Sequence, residues 1–323
     1  MIRRAFPLII GLALTAAPSG STWQSLAGHD SLPRTPTEPA PRATMTEPAS
    51  IQPGTLPPSW YAGGPSCTGR PDFQVHRYND DFYILRQAAC TNFEKPFLYL
   101  IFGRDRAILF DTGAGKADVR GAVDRVIQAW LTRHSRASIP LVVAHSHGHG
   151  DHIAGDEQFR DRPGTTIVAK EPEAVQTFFG IVDWPSRKVT FDLGNRVLDI
   201  IPIPGHQVAS IAVYDRRTAI MLTGDTFYPG RLYVRDGGAF TASIERLIDF
   251  TRDRPVSHFL GTHIENTNEP FRDYPEGTVD QPNEHTLALG RAQLLQMSDA
   301  LRAMGGQVTR RVLRDLTIWP VSP

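Results

Sequence analysis

Four histidines and one aspartate lie within residues 145–152, directly after an apolar run that ends at Ala144. Neutral imidazole and carboxylate groups are good ligands for zinc. Packing so many of them together is costly unless a cation or solvent compensates their polarity. Gly148 and Gly150 let the backbone wrap closely around an ion. The segment therefore predicts a metal site at the end of a strand, with a histidine-rich solvent loop as the alternative.

Apolar runs on both sides of this segment predict an alternation of strands and helices. Strands come first and mixed elements follow, which favours an α/β protein with sheets covered by helices on the outside. Alternation alone does not distinguish this arrangement from a doubly wound fold. The predicted strands are 73–78, 82–86, 97–102, 107–110, 140–144, 167–169, 197–203, 210–214, 218–222 and 256–260, and the predicted helices are 117–133, 171–179, 244–252 and 283–304.

The N-terminus is typical of an export signal. Arg3 and Arg4 precede an apolar run over 5–17, which is too short to span a bilayer. We expect a signal peptide over 1–20, a Pro/Ser/Thr-rich flexible leader over 21–70 and one folded domain over 71–323. The expected location is the periplasm or the cell exterior, without a membrane span.

The charge balance bears on the binding partners of the chain, and the cysteine content bears on its disulfide bonds. Lys plus Arg and Asp plus Glu both number 34, so there is no basic excess to indicate a nucleic-acid partner. A small-molecule substrate is expected, and the sequence does not indicate an oligomeric state. Cys67 and Cys90 allow one disulfide in an exported protein, or two separate buried thiols.

The histidine-rich segment resembles the H-x-H-x-D-H signature of the metallo-β-lactamase superfamily, in the form His147-Gly-His149-Gly-Asp151-His152. His145 is outside the signature and is expected to face solvent. Four further motifs of the family are present, and they occur in the same order along this chain as in the family. The resemblance covers about residues 73–263. They are Leu109-Phe-Asp111-Thr-Gly113, Pro204-Gly-His206, Leu222-Thr-Gly-Asp225 and Leu260-Gly-Thr-His263.

The resemblance implies the family's αβ/βα four-layer sandwich, with two metal ions at one edge between the sheets. Zinc is the expected metal, and the same ligands also accept Mn²⁺ or Fe²⁺. Asp111 is expected to orient a ligand without binding metal itself. By this resemblance the first metal is held by His147, His149 and His206, the second by Asp151, His152 and His263, and Asp225 bridges both.

The implied chemistry is hydrolysis by a metal-bridging hydroxide. Asp151 is the candidate to orient the hydroxide and pass on its proton. Tyr233 is a candidate donor to a developing oxyanion, and Arg231 a candidate partner for a substrate carboxylate. Ordinary loop packing is the alternative for Tyr233 and Arg231.

The residue at the bridging position, Asp225, reduces the number of family branches that the chain can resemble. Family β-lactamases generally lack an aspartate at the position of Asp225, whereas the glyoxalase II-like, lactonase-like and phosphodiesterase branches have one. The nuclease branches usually have basic surfaces, which a neutral exported chain fits poorly. The predicted activity is therefore hydrolysis of a small-molecule ester, thioester or lactone. Periplasmic β-lactam hydrolysis, an iron-dependent redox reaction and a non-catalytic binding role stay open as alternatives.

Overall fold

A computed structural model of the chain describes residues 50–61, 63–64 and 69–321. The predicted signal peptide and Cys67 lie outside the described residues. Cys90 is disulfide-bonded. Within the described ranges, no helix has both the length and the apolar character that crossing a membrane requires.

The first sheet has six strands, which lie side by side in chain order: β1 (Phe73–Asn79), β2 (Phe82–Gln87), β3 (Phe97–Phe102), β4 (Ala107–Phe110), β5 (Leu141–Ala144) and β6 (Thr165–Ile167). Neighbours are antiparallel up to β4, and the β4–β5 and β5–β6 pairs are parallel. Successive side chains of β3 point to opposite faces. Its odd-numbered residues enter the core between the two large sheets, and its even-numbered residues pack under helix α1, which comprises Val119–Arg133.

The second large sheet also has six strands, and a third, small sheet has three. The strands that complete the fold are β7 (Val189–Asp192), β8 (Val197–Pro202), β9 (Ile211–Asp215), β10 (Ile220–Gly224), β11 (Arg231–Val234), β12 (His258–Gly261), β13 (Ala288–Leu289), β14 (Arg311–Val312) and β15 (Thr317–Pro320). The second sheet has the order β13-β12-β10-β9-β8-β7, and the third has the order β11-β15-β14. The β10–β12 pair is parallel, so these two strands end at the same edge.

Helices cover the outer face of each large sheet. Helix α1 packs on the first sheet, while α4 (Gly237–Thr251) and α5 (Arg291–Ala303) pack on the second sheet and the small one. The result is the αβ/βα four-layer sandwich that the sequence predicts. The other helices are α2 (Gly150–Ile153) and α3 (Pro172–Phe179), with one 3-10 turn at Asp156–Phe159.

Several predicted boundaries are wrong, and local chemistry explains two of them. Helix α4 begins at Gly237 and not at residue 244, because the Asp236 carboxylate accepts a hydrogen bond from Ala239 N–H and caps it. The predicted helix 283–304 begins only at Arg291, because β13 pairs with β12 just before it. The sequence also failed to indicate β7, β11, β14 and β15.

The folded domain starts before the predicted residue 71. Residues 50–61, which composition places in the flexible leader, pack on the first sheet. Thr55 N–H donates to Tyr78 O at 3.1 Å, and the Trp60 ring meets Phe97 edge-on at 4.9 Å. The contact of the partly buried Trp60 with the buried Phe97 ring thus helps to order a segment that its Pro-rich composition marks as a linker.

Candidate metal centre

The residues of the predicted signature follow the ends of strands at one edge of the sandwich. Asp111 follows β4 and His147 follows β5, two strands that run parallel. Asp225 follows β10 and His263 comes shortly after β12, which are also parallel. Parallel neighbours bring their carboxyl ends to the same edge, so four separate loops deliver polar side chains to one place.

The first group consists of three imidazole nitrogens that face one another. His147 Nε2 lies 2.9 Å from His149 Nδ1, and His206 Nε2 lies 3.2 Å and 3.0 Å from these two atoms. Tetrahedral zinc with Zn–N bonds of about 2.0–2.1 Å separates its nitrogen ligands by about 3.3 Å. The observed spacing therefore fits three ligands of one ion.

The second group combines two imidazoles with two carboxylates. Asp151 Oδ2 lies 3.1 Å from His152 Nε2 and 3.2 Å from His263 Nε2, and Asp225 Oδ1 lies 3.4 Å from His263 Nε2. His152 Nε2 is buried without a hydrogen-bond partner. An unsatisfied buried nitrogen facing two carboxylates is what a bound cation would satisfy.

Asp225 joins the two groups through a single oxygen. Its Oδ2 lies 3.5 Å from His206 Nε2 and 3.7 Å from His147 Nε2 in the first group, and 3.5 Å from His152 Nε2 in the second. Two overlapping sets of possible metal ligands result: His147, His149, His206 and Asp225; and Asp151, His152, Asp225 and His263.

The electrostatics of the two groups differ. Burial and the neighbouring His152 hold the pKa of His147 well below its usual value, and burial with His206 lowers the pKa of His149 to about 4. These imidazoles stay neutral, as metal ligands must be. Burial alone would lower the pKa of His263, but the Asp225 and Asp151 carboxylates raise it to about 10. The second group therefore attracts positive charge, which a metal ion can supply.

Four contacts fix the ring nitrogens on the far side from the centre. His206 Nδ1 lies 2.8 Å from Tyr233 O, and His263 Nδ1 lies 2.9 Å from Glu94 O. His152 Nδ1 lies 3.0 Å from Asp111 Oδ2, the contact expected for this aspartate. His147 Nδ1 lies 3.1 Å from Ser146 Oγ. Each contact favours the tautomer whose other nitrogen faces the centre.

Ser146 links Asp111 to the first group. Its Oγ lies 2.9 Å from Asp111 Oδ2, and its backbone N–H donates to Asp111 Oδ1 at 2.7 Å. Asp111 has a φ of 68°, a left-handed conformation that few residues other than glycine adopt. Gly224 makes room for Ser146, because a Cβ at residue 224 would lie 2.8 Å from the Ser146 Cβ. The backbone is thus held in an uncommon shape around this hydroxyl.

Sequence reasoning missed Ser146 and both backbone carbonyls. Ser146 directly precedes the first histidine of the signature, and this position could have indicated that its hydroxyl contacts the site. The carbonyls of Glu94 and Tyr233 belong to every residue type, so no pattern of side chains could have indicated them.

The surroundings of Arg231 and His145 differ from those that the sequence predicts. Arg231 is buried, and its guanidinium contacts Glu265 Oε1 at 2.7 Å, Asp273 Oδ2 at 2.9 Å and Tyr274 O at 2.6 Å. Binding a substrate carboxylate would have to break these contacts. His145 was expected to face solvent, which is wrong. It is buried, because Asp156 Oδ1 lies 2.8 Å from its Nε2.

A cavity of about 320 Å³ opens above the centre. Its walls carry His149, Asp151, Asp225 and His263, together with Tyr233. The Tyr233 hydroxyl accepts a hydrogen bond from Arg231 Nε at 3.2 Å, so its own proton remains free to be donated. The cavity is of the size of a small-molecule site and gives direct access to the candidate ligands.

Comparison with known proteins agrees with the site. A sequence model of the metallo-beta-lactamase superfamily matches residues 93–258, more than half of the chain. An acyl-coenzyme A thioesterase MBLAC2 of Bos taurus is 25% identical over 224 residues, covering 57% of this chain and 78% of that protein. A hydroxyacylglutathione hydrolase of Ectopseudomonas mendocina (strain ymp) is 29% identical over 112 residues, covering 32% of this chain and 39% of that protein.

Among solved structures, a metallo-beta-lactamase from Pontibacter korlensis aligns with a TM-score of 0.49 and 17% identity, covering 71% of this chain and 99% of that one. The match to the superfamily model extends over most of the sequence motifs, although His263 lies beyond its end. The chain belongs to the metallo-β-lactamase superfamily and is a metal-dependent hydrolase.

Proposed function

We propose that this hydrolase binds two zinc ions and cleaves small-molecule thioesters, with esters and lactones as chemically related substrates. The observation that carries the proposal is the single oxygen of Asp225 shared by two groups of ligand atoms. A set of five imidazoles and two carboxylates suits zinc, and it leaves room for substrate because neither group is closed on the cavity side.

Zinc ions bound by these two groups would lower the pKa of a water and polarise the carbonyl under attack. Asp151 uses Oδ2 to contact His152 and His263, and its Oδ1 has no protein partner within the described residues. That free oxygen can orient the attacking water and take its proton. Burial raises the pKa of Tyr233, so its hydroxyl stays protonated and can donate to the oxyanion.

The relatives support the choice of thioesters. MBLAC2 is named an acyl-coenzyme A thioesterase, and the match covers 78% of its length. The hydroxyacylglutathione hydrolases match over a smaller part, less than half of their length in the example above. An aspartate at residue 225 agrees with the branch that these relatives represent, and not with the β-lactamases of the family.

We also propose that the chain is exported. The support is the apolar run that follows Arg3 and Arg4. Fractionation of cells that express the full chain, with N-terminal sequencing of the product, tests this. Processed protein in the periplasm or medium supports export, whereas full-length protein in the cytoplasm contradicts it.

A substrate panel with matched variants tests the activity. The panel holds one thioester, one lactone, one aryl ester, one phosphodiester and one β-lactam, offered to zinc-loaded protein. We expect the thioester to be cleaved fastest, and Asp225→Ala and Asp151→Asn to lower its kcat/KM by at least about a hundredfold. Asp183→Asn, which neutralises an exposed carboxylate elsewhere, serves as the control. Faster cleavage of the β-lactam or phosphodiester contradicts the proposal.

A further inference from the structure

Arg235 is an exposed arginine on the wall of the metal-centre cavity. It follows β11 directly and lines the cavity together with His149, Asp151 and Asp225. Its backbone N–H donates to Gly205 O at 3.0 Å, which fixes where its side chain starts. Within the described residues, its guanidinium has no ion pair, hydrogen bond or aromatic contact. A free arginine beside the reaction centre is available for a ligand.

The neighbouring charges do not neutralise this arginine. The carboxylate of Asp236, the next residue, accepts a hydrogen bond from Ala239 N–H at 2.9 Å and caps α4. Arg231, by contrast, is buried in contacts with Glu265 and Asp273. Of the two arginines near the centre, only Arg235 keeps all of its donors for a ligand.

Apart from the candidate metal ligands, the other charged side chains on the cavity wall are negative. Among the described residues that line the cavity, Arg235 is the one Lys or Arg, and the lining also includes Glu94, Glu265 and Glu276. The carboxylates of Glu94 and Glu276 have no ion pair or hydrogen bond with described residues. An anionic group on a substrate is therefore repelled by these carboxylates and attracted to Arg235.

Arg235 also borders a second, smaller depression of about 140 Å³. Its other walls include Pro204, Val208 and Ala239. These residues offer little that would compete for the guanidinium, and they can accept a short aliphatic chain. The arginine thus lies between the reaction centre and an apolar surface.

We propose that Arg235 binds an anionic group of the substrate, a carboxylate or a phosphate, and so selects negatively charged thioesters. A guanidinium binds either group through two parallel N–H donors. This inference rests on the proposed thioesterase function for its substrate class, and on the position and free donors of Arg235 for the charge.

The test uses butyryl thioesters that differ only in charge. The thiol parts are 3-mercaptopropionamide, 3-mercaptopropionate and 2-mercaptoethyl phosphate, and a succinyl thioester of the amide places the charge on the acyl side. We expect wild-type kcat/KM to be about tenfold higher for at least one anionic compound than for its neutral counterpart, mainly through KM. The better of the carboxylate and phosphate compounds identifies the anion. Arg235→Gln should abolish the preference, and Arg235→Lys should retain part of it.

A binding measurement keeps this test independent of turnover. Calorimetry with the non-hydrolysable thioether analogues of the same compounds should show the same preference, and the same loss in Arg235→Gln. Arg125→Gln removes an exposed charge on the outer helix α1 and should change neither readout. No preference in the wild type, or a preference that survives Arg235→Gln, overturns the role of Arg235. If no thioester is hydrolysed, the thioesterase proposal fails while calorimetry still decides the role of Arg235.

Discussion

Replacing Ser146 by alanine removes the hydroxyl that connects Asp111 to the first metal group. When His147 Nε2 faces the centre as a ligand, its Nδ1 carries the proton and donates to Ser146 Oγ at 3.1 Å. The hydroxyl then donates to Asp111 Oδ2 at 2.9 Å. In the second group, His152 Nδ1 lies 3.0 Å from Asp111 Oδ2 and 3.5 Å from Ser146 Oγ, so it keeps the closer contact, to the carboxylate, when the hydroxyl is removed. The substitution should therefore affect the two metal sites unequally.

The magnitude follows from the burial of the imidazole. His147 is 1% exposed, so its Nδ1–H cannot hydrogen-bond to solvent water when the serine hydroxyl is removed. An unsatisfied buried donor costs about 1–3 kcal/mol. Without metal the ring can adopt the other tautomer, so most of this cost falls on the metal-bound state. At 1.4 kcal/mol for each factor of ten, zinc should bind the first site about 5- to 150-fold more weakly.

Competition with a chromophoric zinc chelator measures the two dissociation constants. The control is Ser210→Ala, which removes a nearby buried hydroxyl that has no hydrogen-bond partner. We expect Ser146→Ala to weaken one site and to leave the other within about twofold, and Ser210→Ala to change neither. Equal weakening of both sites, or an unchanged pair of constants in Ser146→Ala, would refute the reasoning.

Three further predictions concern stability. Arg231→Met leaves Glu265 and Asp273 without their buried partner, so urea denaturation should show a loss of about 3–5 kcal/mol; a loss below about 1 kcal/mol would contradict this. Burial lowers the pKa of Lys95 from the usual 10.5 to about 8. The unfolded chain then binds more protons between these pH values, so the free energy of unfolding should rise across this window by up to about 3 kcal/mol relative to Lys95→Met; parallel pH profiles would disprove it. Chelation of both metals should lower the free energy of unfolding by about 5 kcal/mol if each ion is present at a hundred times its Kd, as thermal melting can check, and an unchanged melting curve would count against metal binding.

The motifs were predictable because they follow strands. Apolar runs that end at Ala144 and near Leu222 place His147 and Asp225 at strand ends, and parallel pairing then brings the loops to one edge. Side-chain chemistry and order along the chain were therefore enough to predict which residues gather. The central strands were also predictable, because their continuous apolar runs are typical of buried sheet.

The features of the site and fold that the sequence did not predict depend on contacts between residues that are distant along the chain. Arg231 looks like a free cation in the sequence, but Glu265 and Asp273, from a loop more than thirty residues later, occupy its donors. His145 looks like a solvent-facing residue until Asp156 folds back onto it. Short edge strands such as β14 carry little apolar pattern, since both of its residues are exposed. Periodicity cannot report such pairings.

Counting the metal ions is the most direct test of the shared-aspartate centre. Protein purified without added metal is analysed by inductively coupled plasma mass spectrometry, and native mass spectrometry gives the number of ions on each chain. Two zinc ions per chain in the wild type, with fewer than two in Asp225→Ala, is the result that the geometry predicts. One iron per chain, or full occupancy in Asp225→Ala, would contradict a dinuclear zinc centre bridged by Asp225.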